Sequence, residues 1–111
     1  MSYSEYLKHI LDEAEYIIRK SKRLSKRVFL KDETLKRAFV RSIEIIGEAV
    51  KKLPDDFRKK HSDVDWKAMA GTRDKLIHDY FGIDYDIVWD IVVEEVPNLR
   101  KNIKRILKAE K

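Results

Sequence analysis

Cysteine is absent from this chain of 111 residues. That excludes disulfides, thiolate metal sites and cysteine nucleophiles together. Glycine occurs three times and proline twice, too few for the many turns of a β-sandwich or for a disordered tail. The chain has no glycine-rich phosphate loop, no serine elbow and no His-Glu-x-x-His pair. No apolar run approaches the roughly 20 residues that a membrane-spanning helix needs. The start, Met1-Ser2-Tyr3-Ser4-Glu5, lacks a signal-peptide pattern. The expectation is a cytoplasmic protein.

Charge is what the chain has in quantity. Asp, Glu, Lys and Arg make up 41% of it, with a formal net charge of +5 and a pI near 9.4. The length suits one domain, residues 1–111, around a single hydrophobic core. A basic balance suits a polyanion partner such as RNA, although many proteins as basic bind no nucleic acid. Arg19, Lys20, Lys22, Arg23, Lys26 and Arg27 cluster early, and Lys101, Lys104, Arg105 and Lys108 cluster late. The early cluster suits the C-terminal end of a helix electrostatically, and it could also contact phosphate.

Apolar residues recur at helical spacing along most of the chain. Tyr6, Leu7, Ile10, Leu11, Ala14, Ile17, Ile18 and Leu24 mark a first helix, from Ser2 or Ser4 to about Lys26. Ser25 to Lys31 reads as a connection, with Val28, Phe29 and Leu30 folding back onto the core. Asp32 can cap a second helix whose stripe is Leu35, Ala38, Phe39, Ser42, Ile43, Ile46, Ala49, Val50 and Leu53. Pro54 stops it. Val40, Ile45 and Gly47 lie off that stripe, so this helix is central or its second face meets another subunit. Asp55 to Ser62 is polar, with Phe57 as its anchor and room for a short helical turn. His61 reads as exposed, and so does His9.

Asp63 or Asp65 then caps a third helix running from Trp66 to Tyr80 or Phe81. A fourth, capped by Asp84 or Asp86, carries Ile87, Val88, Ile91, Val92, Val96, Leu99, Ile103, Ile106 and Leu107. Pro97 falls inside that periodicity, which predicts a kink or a break. The expected fold is all-α, an up-and-down four-helix bundle.

The third helix carries the polar residues that do not fit a simple core. Trp66, Met69, Ala70, Arg73, Ile77 and Tyr80 share one stripe at steps of three and four. At ~100° per residue, Asp74 lies about 40° from His78, with Arg73 and Tyr80 flanking them. Gly82 is suited to end the helix. Gly71, two residues before Arg73, would open space beside the guanidinium. One reading is structural: Arg73 pairs with Asp74 or Glu48, His78 caps the helix and Tyr80 is a core aromatic. The other is a site. Arginine presents a planar fork to phosphate, and histidine titrates in the range proton transfer requires. Asp74, His78 and Asp79 could in principle hold a cation, but their spacing does not favour it. No metal and no cofactor are expected.

The order Arg73-Asp74, three residues, His78, one residue, Tyr80-Phe81-Gly82 resembles the motif of the HEPN superfamily of ribonucleases. It is most similar to the HepT-type toxins of two-component toxin–antitoxin pairs. Ile43 to Ala49, Asp65-Trp66, Ile83-Asp84, Val88-Trp89 and Val96-Pro97 also sit where that family carries similar residues, so the likeness spans nearly the whole chain. Asp74 stands where asparagine is more usual. The resemblance implies a HEPN-like bundle and a metal-independent endoribonuclease, with Arg73 and His78 catalytic and Asp74 and Tyr80 supporting. It implies a homodimer that brings two copies of these groups to one cleft, which supplies the second histidine one chain lacks. It further implies neutralisation by a minimal nucleotidyltransferase of the MntA type that transfers AMP to Tyr80. An alternative of a different class is a catalytically weak, nucleotide-binding partner of that transferase.

Overall fold

The computed structural model describes residues 3–77 and 82–109, and all regular structure among them is helical. Helices α1 (Tyr3–Ser21), α2 (Lys26–Lys31), α3 (Glu33–Lys52), α4 (Asp55–Lys60) and α5 (Trp66–Ile77) follow one another. Then α6 (Tyr85–Asp90), a π-helical turn (Ile91–Glu95) and α7 (Val96–Ala109) form one continuous run. The long elements are thus α1, α3, α5 and the composite last helix. They make the expected four-helix bundle, with α2 and α4 as short helices in the connections.

Local chemistry sets the boundaries. Asp32 Oδ1 accepts from the Leu35 N–H at 2.9 Å, Asp65 Oδ1 from Ala68 at 3.0 Å and Asp84 Oδ1 from Asp86 at 3.0 Å. Each satisfies an N–H that the first turn of a helix leaves without an internal partner.

The first helix is shorter than its apolar spacing predicts. It ends at Ser21, and Arg23 turns the chain with a φ of 67°. A Cβ in that left-handed region costs about 1 kcal/mol. The expected connection at Ser25 to Lys31 is instead a helix, because the Ser25 hydroxyl accepts from the Val28 N–H at 3.2 Å and starts a new turn. Three consecutive residues cannot all face inward at helical pitch. Phe29 is fully buried and Leu30 partly so, but Val28 stays 47% exposed.

Helix α3 is central. It packs against α1, α5, α2 and α6, and Val40 and Gly47, off its main stripe, are buried with Phe39, Ile43, Ile46 and Val50. Val40 and Gly47 are therefore used within the chain, whereas Ile45 is half-buried. Phe29 and Phe39 stack with centroids 5.6 Å apart, Tyr16 meets Phe39 edge-on at 6.4 Å, and Trp89 reaches Phe29 at 5.2 Å. This aromatic cluster joins α1, α2, α3 and α6 at one end of the bundle.

The irregularity expected at Pro97 takes the form of a π-helical turn, Ile91–Glu95, immediately before it. A proline in a regular α-helix would clash with the carbonyl four residues back. Here the chain widens into a π turn just before it, and the Val96 N–H donates to the Ile91 carbonyl, five residues back. The apolar stripe continues through the turn, with Ile91, Val92, Val96, Leu99, Ile103 and Ile106 all buried.

Helix α4 realises the helical turn expected after Pro54. His61, expected exposed, is half-buried, with its ring 4.7 Å from that of Phe57. Its carbonyl accepts from Trp66 Nε1 at 3.0 Å, tying this connection to the start of α5. His9 is exposed as expected.

Candidate active site

Helix α5 positions the motif. It begins beside α4, where Trp66 lies 6.1 Å from Phe57, and it packs along α3. Its buried residues Trp66, Met69 and Leu76 mark the face that α5 turns to the core. Leu76, outside the stripe traced from sequence, is one of the most buried residues in the chain. The side chains of Arg73 and Asp74, and all of His78, Asp79 and Tyr80, lie outside the described residues.

The chain on either side of the motif is anchored. At Gly71 an added Cβ would meet nothing within 4 Å among the described residues. Gly82 has a φ of +123°, which L side chains rarely adopt, so a glycine is required where the segment turns toward α6. Two residues on, Asp84 caps α6, and Tyr85 is held under Lys36 of α3. Tyr85 thus sits against the start of α3, at the α2–α6 end of the bundle.

Lys36 was invisible to spacing arguments. It is only 9% exposed, with its amine 2.9 Å from Glu33 Oε1 and 4.5 Å from the centroid of the Tyr85 ring. A desolvated ammonium over an aromatic face is attractive, and the contact pins the start of α6 to α3. A double-mutant cycle of Lys36→Met and Tyr85→Leu is expected to show a coupling of about 1 kcal/mol in thermal or urea unfolding. Purely additive effects would show the pair to be inert. Beside it, Lys26 of α2 bonds Asp86 at 2.9 Å across exposed surface. That hydrogen bond, then the charge of Asp86, raises the Lys26 pKa above its ordinary 10.5. The pairing is therefore intact below pH 10.5 and disappears as pH rises through the raised value.

A second polar feature lies on the outer stripe of α3. Arg41, Ile45, Glu48 and Lys52, with Tyr6 and His9 of α1, line a cleft of about 220 Å³. Glu48, one of the alternative partners named for Arg73, is exposed on this stripe. Among the described residues no group of three or more His, Asp or Glu side chains is gathered closely enough to hold a metal ion. No helix among them is long and apolar enough to cross a membrane.

Comparison with known proteins decides the family. The model of the family described as "Ribonuclease HepT-like" matches residues 10–106, which takes in every motif position from Arg73 to Tyr80. The chain belongs to the HepT-like ribonuclease family. It is 58% identical over 106 residues to a protein of Caldanaerobacter subterraneus subsp. tengcongensis named "Putative RNase", covering 96% of this chain and 95% of that one. A protein of Methanocaldococcus jannaschii with the same description is 50% identical over 103 residues, covering 93% and 85%. The "Probable ribonuclease HepT" of Thermococcus cleftensis is 38% identical over 107 residues, covering 96% and 97%. No solved structure matches the chain. For this HepT-like chain the helical bundle and the family resemblance read from the sequence are thus both established.

Proposed function

We propose that this HepT-like protein is an endoribonuclease that cuts RNA without a metal ion, using Arg73 and His78 from two copies of the chain. The supporting observation is the match to the HepT-like ribonuclease family over residues 10–106, which takes in both Arg73 and His78.

The chemistry follows from the groups. One imidazole removes the proton of a ribose 2′-hydroxyl, and the 2′-oxygen attacks the adjacent phosphorus. The guanidinium fork binds the phosphate oxygens and stabilises the charge that builds there. The P–O5′ bond breaks, and a second protonated imidazole gives its proton to the departing 5′-oxygen. The products are a 2′,3′-cyclic phosphate and a free 5′-hydroxyl. Each chain brings a single motif histidine, so the two proton transfers call for a homodimer. Asp74, one turn before His78, orients the imidazole, and Tyr80 hydrogen-bonds phosphate or stacks a base.

On the same reading the protein is the toxin of a toxin–antitoxin pair. A minimal nucleotidyltransferase joins the Tyr80 oxygen to the α-phosphorus of ATP with release of pyrophosphate. The added AMP brings negative charge to the place an RNA phosphate must occupy. The test is incubation of the purified protein with RNA in the presence of a chelator. Cleavage leaving cyclic phosphate ends is expected, and it should cease once the transferase and ATP have added AMP, read by intact mass. Cleavage that stops on chelation refutes metal independence. Absence of cleavage together with tight transferase binding favours the alternative of a weakly active, nucleotide-binding partner.

A further inference from the structure

We propose that the elbow between α1 and α2 is a phosphate-binding collar that holds RNA beside the candidate active site. The inference rests on the ribonuclease reading above and adds a surface to it.

From Arg19 to Lys31 the chain carries seven cations and no acid. Lys26 is committed to Asp86. Arg19, Lys20, Lys22, Arg23, Arg27 and Lys31 are exposed and have no ion-pair partner among the described residues. Arg19 alone is steadied, its guanidinium 5.8 Å from the Tyr16 ring centroid. A helix C-terminus explains cations at Arg19 and Lys20, but it does not explain those beyond the end of α1.

Arg23 is the telling residue. It holds the left-handed φ of 67° that ends α1, a position glycine fills at no steric cost. An arginine there is worse for the backbone, and its exposed guanidinium makes no described ion pair in return. The side chain is best accounted for by something outside the protomer that needs a cation.

Two observations favour an RNA backbone over an acidic protein. The collar offers almost no apolar surface, since Phe29 is buried, Leu24 and Leu30 pack partly on the core, and Val28 alone is prominent. Protein interfaces need an apolar centre, whereas phosphates need only cations. The collar also packs on the element that follows the motif in the chain: α2 contacts α6, and Lys26 is tied to Asp86, four residues beyond Gly82.

The experiment measures binding, so that it can fail apart from the nuclease reading. A fluorescent single-stranded RNA, 2′-O-methylated throughout so that it cannot be cut, is titrated with the full chain at several salt concentrations. Wild type is compared with Arg23→Gly, with Arg23→Gly/Arg27→Gln, and with Lys104→Gln/Lys108→Gln. The last pair removes two exposed charges from the far end of α7, near the Arg105–Asp63 pair. The double collar variant is expected to bind about tenfold more weakly, with a salt slope shallower by roughly 0.7 for each phosphate it no longer neutralises. Arg23→Gly should melt no lower than wild type while binding more weakly. An equal weakening in the α7 variant would reduce the effect to net charge and overturn the collar, as would unaltered binding by the collar variants. Competition by polyglutamate as strong as that by RNA would overturn the choice of RNA. Weaker binding by the collar variants with no cleavage by wild type on ordinary RNA would uphold the collar and sink the nuclease. Normal cleavage with unchanged binding would do the reverse.

Discussion

Replacing His78 with alanine is expected to lower RNA cleavage by about 10²- to 10⁴-fold, the range a positioned proton-transfer group supplies. Arg73→Ala costs about 10²- to 10³-fold, comparable to removal of one preorganised donor to a developing oxyanion. The two effects should differ in kind. The arginine is always charged, so its removal scales the rate at every pH. If one imidazole acts as base and its twin as acid, wild type gives a bell-shaped pH profile, and His78→Ala flattens both limbs. Arg73→Lys keeps the charge but not the planar fork, and its activity should fall between wild type and Arg73→Ala. The specific rate should also drop on dilution below the dissociation constant of the proposed dimer, since each protomer brings one motif histidine. Single-turnover cleavage across pH and protein concentration reads all of these. A His78→Ala protein that is folded by circular dichroism and still cuts at the wild-type rate ends the proposal. Full activity from a monomer ends its composite site.

What the sequence revealed and what it hid divide along the range of the interactions. Caps at Asp32, Asp65 and Asp84 were legible because a carboxylate and the N–H it accepts from lie two or three residues apart. The stripes of α1 and α3 were legible because their periodicity runs over several turns. Helix α2 was not, since six residues give less than two turns and the decisive event is one hydroxyl at Ser25. The π turn was missed because apolar spacing records which face is buried, and Ile91, Val92 and Val96 stay buried in either hydrogen-bond register. Lys36 was missed because its partner Tyr85 lies in a helix far along the chain. The misfit of Arg73 with a core stripe was visible in spacing, and its side chain lies outside the described residues.

Phe39→Ala should be the most destabilising single truncation near the site. Phe39 is fully buried on α3, stacked on Phe29 and met edge-on by Tyr16. Cutting the ring to a methyl group removes transfer free energy and leaves a cavity that three helices can only partly close. Such changes cost about 3–5 kcal/mol, a large share of the roughly 5–15 kcal/mol a domain has in total. The melting temperature should fall by about 15–25 °C, at several degrees per kcal/mol for a chain of this size. Phe39→Leu, which refills much of the volume, should cost no more than about half as much. The consequence should reach the site as well. Phe29 also supports Trp89, and the same end of the bundle holds Tyr85 and Asp86 against α2 and α3. Loosening that end should therefore lower cleavage by Phe39→Leu at temperatures where the protein is still fully folded. Thermal unfolding followed by circular dichroism, with cleavage measured well below the transition, separates the two effects. If Phe39→Ala melts within a few degrees of wild type, the aromatic cluster does not hold this end of the bundle together.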